Sequence, residues 1–190
     1  MYKIIDNFIS QKYFEMMQNE ILDGDHIWKY RDNITKHSSE EPGEESLFDF
    51  GFSHEILFED KKIYSHLHPF MASFYADLLL ETDTQNLLRC RLDMTTYTPG
   101  VYTHPPHVDF YCPHIASVFY LTDSDGETIL YNERANTKEE FYETDFSTLT
   151  EMTRVKPKEN RMLIFDGTYL HTGQSPSEYK RRVLINTDLV

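Results

Sequence analysis

The chain has 190 residues, of which 39% are hydrophobic and 14% aromatic, so it can form a single globular domain, 1–190, with a buried core. Its 32 acidic residues outnumber its 18 basic residues, which gives a formal net charge of −14. This balance argues against nucleic acid as a partner, because phosphate backbones are bound through Lys and Arg. No run approaches the roughly 20 apolar residues of a membrane span, so no membrane association is expected.

Cysteine usage and the N-terminus predict the cellular compartment. The two cysteines, Cys90 and Cys112, do not form a CxxC pair and are too few for a disulfide scaffold. The first residues lack the basic region and the apolar core of a secretory signal. A reducing, cytoplasmic location is therefore expected. The sequence does not predict the oligomeric state.

The first part of the chain, 1–86, is predicted to be a mainly helical N-terminal support. Apolar residues recur at spacings of three and four over residues 10–22 and again over residues 62–80, which is the pattern of helices packed on one face. The segment between them, 31–46, is polar, acidic and interrupted by proline and glycine. It is expected to be a solvated loop, with a mobile lid as the alternative.

From residue 87 the pattern changes to short strands separated by turn residues. The predicted strands cover residues 87–97, 101–107, 114–121, 128–131, 151–156, 161–165 and 182–187. Many short strands after a helical start predict a mainly β fold with flanking N-terminal helices, in which 87–190 form a jelly-roll core. Residues 133–148 are expected to form a surface insertion with a helical turn at 138–142, or a second lid.

A possible metal site begins at His107-Val108-Asp109. Residues two apart on a strand point to the same face, so one imidazole and one carboxylate could reach a single ion. A His-x-Asp motif is common by chance, so the prediction of a metal site depends on other residues placed further along the chain. Here His171 follows a predicted strand and Arg182 opens the last one. Two histidines and one carboxylate are the ligands of non-haem Fe(II) oxygenases, and an arginine fork suits the carboxylate of an organic co-substrate.

In these residues and in their order the sequence resembles the Fe(II)/2-oxoglutarate-dependent oxygenases, most closely their prolyl-4-hydroxylase-like branch. The resemblance covers about half of the chain, from Arg91 to Asn186. The motifs that carry it are Tyr97-Thr98-Pro99-Gly100, His107-Val108-Asp109, Ser117-Val118-Phe119-Tyr120-Leu121, Asp125-Gly126-Glu127-Thr128, Asn160-Arg161-Met162-Leu163-Ile164-Phe165, His171-Thr172-Gly173 and Arg182-Val183-Leu184-Ile185-Asn186.

The resemblance implies a double-stranded β-helix, a cupin-like jelly roll, with a catalytic iron centre. The iron ligands would be His107, Asp109 and His171. The 2-oxoglutarate contacts would be Arg182, Tyr120, Tyr97 and Asn186, with Arg182 holding the distal carboxylate. With dioxygen, such an enzyme hydroxylates a C–H bond and releases succinate and CO2. The implied substrate is peptidyl, and prolyl in this branch, or a small molecule.

Several alternatives stay open at this point. Arg181 could replace Arg182 as the carboxylate anchor, although Arg182 shares a strand face with Asn186. His104 or His114 could be additional ligands. The aromatic residues that could contact a substrate are Trp28, Tyr30, Tyr102, Phe110 and Tyr111. The whole domain could instead be a catalytically silent β-sandwich binding module, or a cupin-like metalloenzyme that uses another metal. Halogenation is disfavoured because a halogenase would lack the carboxylate ligand Asp109.

Overall fold

The computed structural model describes residues 1–35, 46–58 and 62–190. The helices of this part are α1 (Gln11–Leu22), α2 (Leu67–Phe70), α3 (Ala72–Thr82) and α4 (Lys138–Glu143), with a 3-10 turn at Phe146–Thr148. The strands are β1 (Tyr2–Asp6), β2 (Lys29–Arg31), β3 (Gly51–Phe58), β4 (Lys62–Ile63), β5 (Leu87–Thr96), β6 (Tyr102–Thr103), β7 (Ile115–Tyr120), β8 (Thr128–Arg134), β9 (Glu151–Val155), β10 (Arg161–Asp166), β11 (Tyr169–Ser175) and β12 (Arg181–Leu189).

The described strands form two antiparallel sheets. The larger has eight strands in the order β1-β10-β7-β12-β5-β3-β2, with β4 paired to β3. The smaller has four strands in the order β6-β11-β8-β9. A mainly β jelly roll with flanking helices was predicted, and this architecture is confirmed.

The large sheet separates two apolar layers because alternate residues of its strands face opposite sides. On the outer side, α1 and α3 pack against Phe119, Leu92 and Ile185. On the inner side, the two sheets share a second core that includes Tyr120, Leu163 and residues of β8 and β9. The inner side therefore divides between this core and the polar cleft described below.

Helix α1 begins where the sequence predicts. The Ser10 hydroxyl accepts a hydrogen bond from the Tyr13 amide at 3.4 Å, and the buried residues Phe14, Met17 and Ile21 follow at spacings of three and four. Burying an apolar side chain of this size contributes about 1.5–3 kcal/mol, so packing rather than helix propensity holds α1 on the sheet.

The predicted helix over 62–80 is wrong in its first half. That segment forms β4, the single turn α2 and only then α3. Pro69 is the physical reason, because it has no amide hydrogen and is tolerated only in the first turn of a helix. A helix can therefore begin just before Pro69 and cannot run through it from residue 62.

The N-terminal part is also less helical than predicted, because it contributes four strands to the large sheet. Strand β1 pairs with β10 along its whole length, and β3 pairs with β5. Strand β3 was not predicted because Ser53 and Glu55, which lie on the same face as the cleft, are polar, so apolar and polar residues do not alternate along it. The assignment of 1–190 to one domain stays a prediction.

The smaller sheet contains a strand that was not predicted, β11, which carries His171. Its residues Thr172, Gly173 and Gln174 are small or polar, so no apolar alternation marked it. The predicted strand 101–107 is reduced to β6 and an isolated bridge at His107. Pro105 and Pro106 lie between the two and cannot donate to a strand ladder.

The two predicted lids differ in what the structure describes. Residues 36–45 of the first, 31–46, lie outside the described residues, and its role stays a prediction. In the second, 133–148, α4 forms close to the predicted turn, and Phe141 packs with Val108, Ala135 and Leu170. This excursion is thus anchored against the segment that holds His107 and Asp109. No helix among the described residues is long and apolar enough to cross a membrane.

Candidate metal centre and co-substrate cleft

Backbone pairing brings His107 and His171 together. The amide of each donates to the carbonyl of the other at 2.9 Å, and the ring centroids lie 4.5 Å apart. Asp109 follows His107 by two residues and is 4% exposed. One ligand atom from each of the three side chains lies within 4.8 Å of the others. The structure therefore assembles the three residues that the sequence singled out.

The protonation pattern of these side chains fits a bound transition metal. Nδ1 of His107 donates to the Pro105 carbonyl at 3.2 Å, and Nδ1 of His171 donates to the Tyr169 carbonyl at 3.1 Å. Because a carbonyl only accepts, both Nε2 lone pairs are left available. Asp109 Oδ2 is buried, lies 3.2 Å from His171 Nε2 and has no hydrogen-bond partner among the described residues. Two imidazole nitrogens and one carboxylate oxygen match a non-haem iron site.

A buried arginine that sequence reasoning missed holds the other oxygen of Asp109. Arg89 Nη2 donates to Asp109 Oδ1, and Arg89 Nε donates to Asp188 Oδ2 at 2.8 Å. Burial would raise the pKa of Asp109, but the charge of Arg89 and the neighbouring His171 hold this pKa well below its usual range. Asp109 is therefore ionised, with one oxygen held and one directed to His171.

Arg182 lies in the same cleft as His107 and His171. The cleft and the open solvent at its mouth together span about 550 Å³ of space free of protein atoms. Arg182 is 6% exposed, and its Nη2 donates to Thr128 Oγ1 at 2.7 Å. Its Nε has no acceptor among the described residues, and burial lowers the pKa of the guanidinium. A buried cationic fork with spare donors is suited to a carboxylate ligand.

The glycine of the His171-Thr172-Gly173 motif makes room for this arginine. A Cβ atom at residue 173 would lie 2.9 Å from Arg182 Nη1, closer than ordinary packing permits. A side chain at this position would therefore displace the guanidinium of Arg182 from its place beside β11.

The two arginines of the last strand face opposite sides, as alternation predicts. Arg181 is exposed, whereas Arg182 and Asn186 line the cleft. Tyr120 is completely buried behind the cleft wall, and its hydroxyl donates to Thr128 Oγ1 at 2.6 Å. Tyr120 therefore contacts Thr128, the residue that also holds Arg182, and does not lie at the cleft surface.

Tyr97 does not join the site. Its side chain is 56% exposed, and it is absent from the described cleft wall. The inward residues of β5 are Arg91, Asp93 and Thr95, but the strand ends at Thr96, so the alternation does not continue to residue 97. The structure thus places Tyr97 outside the cleft wall, and its contact with the co-substrate stays a prediction.

The two other histidines near the motif are engaged with protein groups. His104 Nδ1 lies 2.9 Å from Asp49 Oδ1, and its Nε2 lies 2.9 Å from Ser175 Oγ. His114 Nδ1 donates to the Cys112 carbonyl at 2.7 Å. Neither is grouped with the three candidate ligands in the described part of the chain, so both are supporting residues.

The predicted aromatic contacts fall elsewhere. Trp28 packs on the core under the helices, and Tyr30 is 56% exposed beside Phe50 and Phe52. The remaining contacts pair Tyr102 with His104, Phe110 with Arg89, and Tyr111 with Phe141. Among the described residues that line the cleft, the walls are therefore polar and aliphatic.

Comparison of the fold with solved structures identifies clear relatives in shape. The non-heme alpha ketoglutarate dependent epimerase SnoN from nogalamycin biosynthesis matches 100% of this chain and 77% of its own, with TM-score 0.67 and 9% identity. A Pseudomonas putida prolyl-4-hydroxylase matches 99% and 91%, with TM-score 0.55 and 13% identity. HygX from Streptomyces hygroscopicus, with nickel, 2-oxoglutarate and hygromycin B bound, matches 98% and 81%, with TM-score 0.56 and 14% identity. No protein-family model and no curated protein matches the sequence.

At 9–14% sequence identity, these structural similarities establish the fold of the chain. The predicted resemblance is confirmed at this level, since the neighbours are 2-oxoglutarate-Fe(II) oxygenases and include prolyl hydroxylases. The chain therefore has the double-stranded β-helix fold of those oxygenases, over nearly its whole length.

Proposed function

We propose that the protein is a non-haem Fe(II)- and 2-oxoglutarate-dependent dioxygenase that hydroxylates a C–H bond and forms succinate and CO2. The observation that carries this proposal is the placement of His107, Asp109 and His171 in one cleft with the buried guanidinium of Arg182. A candidate metal centre beside a cationic fork with spare donors is the arrangement that a chelating dicarboxylate requires.

Each residue has a defined task in this proposal. The metal would be held by His107 Nε2, Asp109 Oδ2 and His171 Nε2. Arg182 would bind the distal carboxylate of 2-oxoglutarate, and Thr128 would keep its guanidinium in place. When bound, Fe(II) with 2-oxoglutarate and dioxygen supplies the oxidising power for C–H hydroxylation.

The chain's own contribution is to orient these groups and to limit water. The Nδ1 hydrogen bonds of both histidines determine the tautomer and the ring orientation, which raises their strength as ligands. Asp109 and Arg182 lie in the interior, which would limit competing solvent at the residues that would hold the metal and the co-substrate. Asp109 also disfavours halogenation, because its carboxylate would occupy the position that halide needs.

The substrate is proposed to be either a peptidyl, for instance prolyl, side chain or a small molecule. Structural neighbours include both types, namely a prolyl hydroxylase in complex with a peptide fragment from Trichoplax adhaerens and HygX with hygromycin B bound. We also propose a cytoplasmic location. Two free cysteines, Cys90 and Cys112, are compatible with it.

The first test is anaerobic addition of Fe(II) and 2-oxoglutarate to metal-free protein, followed by air. We expect a visible charge-transfer band and slow succinate formation in the wild type, and neither in Asp109→Ala. The matched control is Asp166→Ala, which removes a surface carboxylate paired with Arg134 and should leave both signals unchanged. Iron binding without band or succinate would favour a silent binding module, and preference for another metal without 2-oxoglutarate would favour a cupin-like enzyme.

A further inference from the structure

A row of polar side chains crosses the inner face of the large sheet next to the metal centre. Arg91, Asp93 and Thr95 alternate along β5 and line the cleft, as does Asn186 of β12. Strand register places Arg91 between Asn186 and Glu55 of β3, so these residues share one face. We call Glu55, Arg91, Asp93, Thr95 and Asn186 the polar row. None of them is a candidate metal ligand.

Three residues of the polar row are buried and two, Glu55 and Arg91, are partly buried, yet much of the row's hydrogen-bonding capacity is not used by protein. Asp93, Thr95 and Asn186 are 7%, 5% and 8% exposed. The atoms without a hydrogen-bond partner among the described residues are Glu55 Oε2, Asp93 Oδ1, Thr95 Oγ1, Asn186 Oδ1 and Arg91 Nε. Arg91 Nε and Asp93 Oδ1 form an ion pair at 2.7 Å without the alignment of a hydrogen bond, and Glu55 Oε1 pairs with Arg31 at 3.0 Å, so part of the row's charge is neutralised by protein.

Such a concentration of unpaired buried atoms points to a ligand. Leaving one buried polar group without a partner costs about 1–3 kcal/mol, so folded proteins contain few of them. Arg91, Asp93, Thr95 and Asn186 line the same cleft as His107 and His171, and strand register places Glu55 beside Arg91 on that face. The described residues offer these atoms no hydrogen-bond partner, so a molecule that enters the cleft can pair with them.

The chemistry of the row defines what kind of molecule this is. The carboxylate oxygens of Glu55 and Asp93 and the amide oxygen of Asn186 can only accept hydrogen bonds. The Thr95 hydroxyl can donate or accept, and Arg91 Nε can only donate. A complementary ligand is therefore rich in donors. A net charge of −14 also attracts cations to the protein.

We propose that the polar row is the substrate subsite and that it selects a small molecule bearing several hydroxyl and amine groups, in preference to a prolyl peptide. This inference rests on the proposed function for the reaction. Within the row only Asn186 is also a predicted 2-oxoglutarate contact, and the other four residues have no part in the proposed metal and co-substrate site. A proline ring has no donor to offer, so it would cover the acceptors of Asp93 and Asn186 without pairing them.

The inference is tested by calorimetric titration with two probes, 2-deoxystreptamine as a donor-rich aminocyclitol and a (Pro-Pro-Gly)5 peptide. Both are titrated into metal-free protein and into protein loaded with Ni(II) and 2-oxoglutarate. We expect the aminocyclitol to bind both forms and at least ten times more tightly than the peptide. Asp93→Asn should weaken its binding at least tenfold, and the surface variant Asp166→Asn should not.

The outcomes separate this inference from the proposed function. Equal or tighter binding of the peptide would overturn the inference, as would no binding of the aminocyclitol or binding that Asp93→Asn leaves unchanged. If the aminocyclitol does not bind, or if Asp93→Asn leaves its binding unchanged, the polar atoms of the row are paired with water and not with a substrate. Failure of Ni(II) and 2-oxoglutarate to bind would instead overturn the proposed function, whereas aminocyclitol binding to the metal-free protein that depends on Asp93 would still support the subsite.

Discussion

At the scale of single residues, neighbouring arginines on one strand have opposite environments. Arg182 reaches Thr128 inside the cleft, and Arg181 lies in solvent. This difference follows from strand alternation alone. It offers two matched positions, one buried and one exposed, at which the same substitution can be compared.

We expect Arg182→Lys to weaken 2-oxoglutarate binding by at least tenfold, while Arg181→Lys has no effect. Lysine keeps the charge but loses the planar fork, and a charge-assisted bidentate contact is worth roughly 1.5–3 kcal/mol. The measurement is the dissociation constant of 2-oxoglutarate for the Ni(II)-loaded protein by calorimetry. Equal affinities of both variants would show that Arg182 is not the anchor.

Arg89 is a positioning residue, because it acts on the metal site by holding Asp109, and it also contacts Asp188 and the Phe110 ring. We expect Arg89→Met to raise the dissociation constant for Ni(II) by about 10–100-fold, as is typical when a ligand loses its supporting contact. The same change leaves buried carboxylates uncompensated and destabilises the fold.

Stability and positioning are separated by the double variant Arg89→Met/Asp188→Asn. It removes the contact with Asp109 but leaves fewer buried charges, so we expect recovered unfolding free energy with metal affinity still weak. Recovery of both quantities together would mean that Arg89 acts only on stability.

At the scale of elements, strand β1 is joined to the start of β10 by an exposed ion cluster. Asp6 accepts hydrogen bonds from Arg161 at 2.6 Å and from Lys158 at 3.0 Å. These bonds lower the pKa of Asp6 from 3.8 to about 2. Since the folded pKa lies below the unfolded value, this contribution to stability is complete above about pH 4 and is lost as the pH falls towards 2.

We therefore expect Asp6→Asn to lower the free energy of unfolding at pH 5 and to have almost no effect near pH 2. The loss at pH 5 should be below about 1 kcal/mol, because the cluster is solvent-screened. Urea unfolding of both proteins at the two pH values gives the comparison. A difference that stays constant between pH 5 and pH 2 would contradict the assigned role of the carboxylate.

The elements themselves were predictable where the apolar pattern matched the backbone period. Helix α1 and most strands of the smaller and larger sheets follow this rule. The pattern failed for β3 and β11, whose cleft-facing residues are polar, such as Ser53 and Thr172. A functional cleft thus removes the alternation from which strands are usually read.

At the scale of the whole molecule, the net charge of −14 opposes compaction through self-repulsion. We expect the melting temperature of metal-free protein to rise by roughly 2–4 °C between 10 mM and 500 mM NaCl, which for a chain of this size is about 1 kcal/mol. Differential scanning calorimetry measures it. A lower melting temperature at high salt would mean that the surface ion pairs outweigh the repulsion.

The sequence by itself determined the fold class and which residues to consider together, namely His107, Asp109, His171 and Arg182. It could do so because strand alternation and motif order are local properties of the chain. The tertiary structure alone decided that Arg89 holds Asp109, that Tyr97 lies in solvent, and that the polar row faces the metal centre. These contacts depend on register between strands that are distant in sequence, and no local pattern encodes that register.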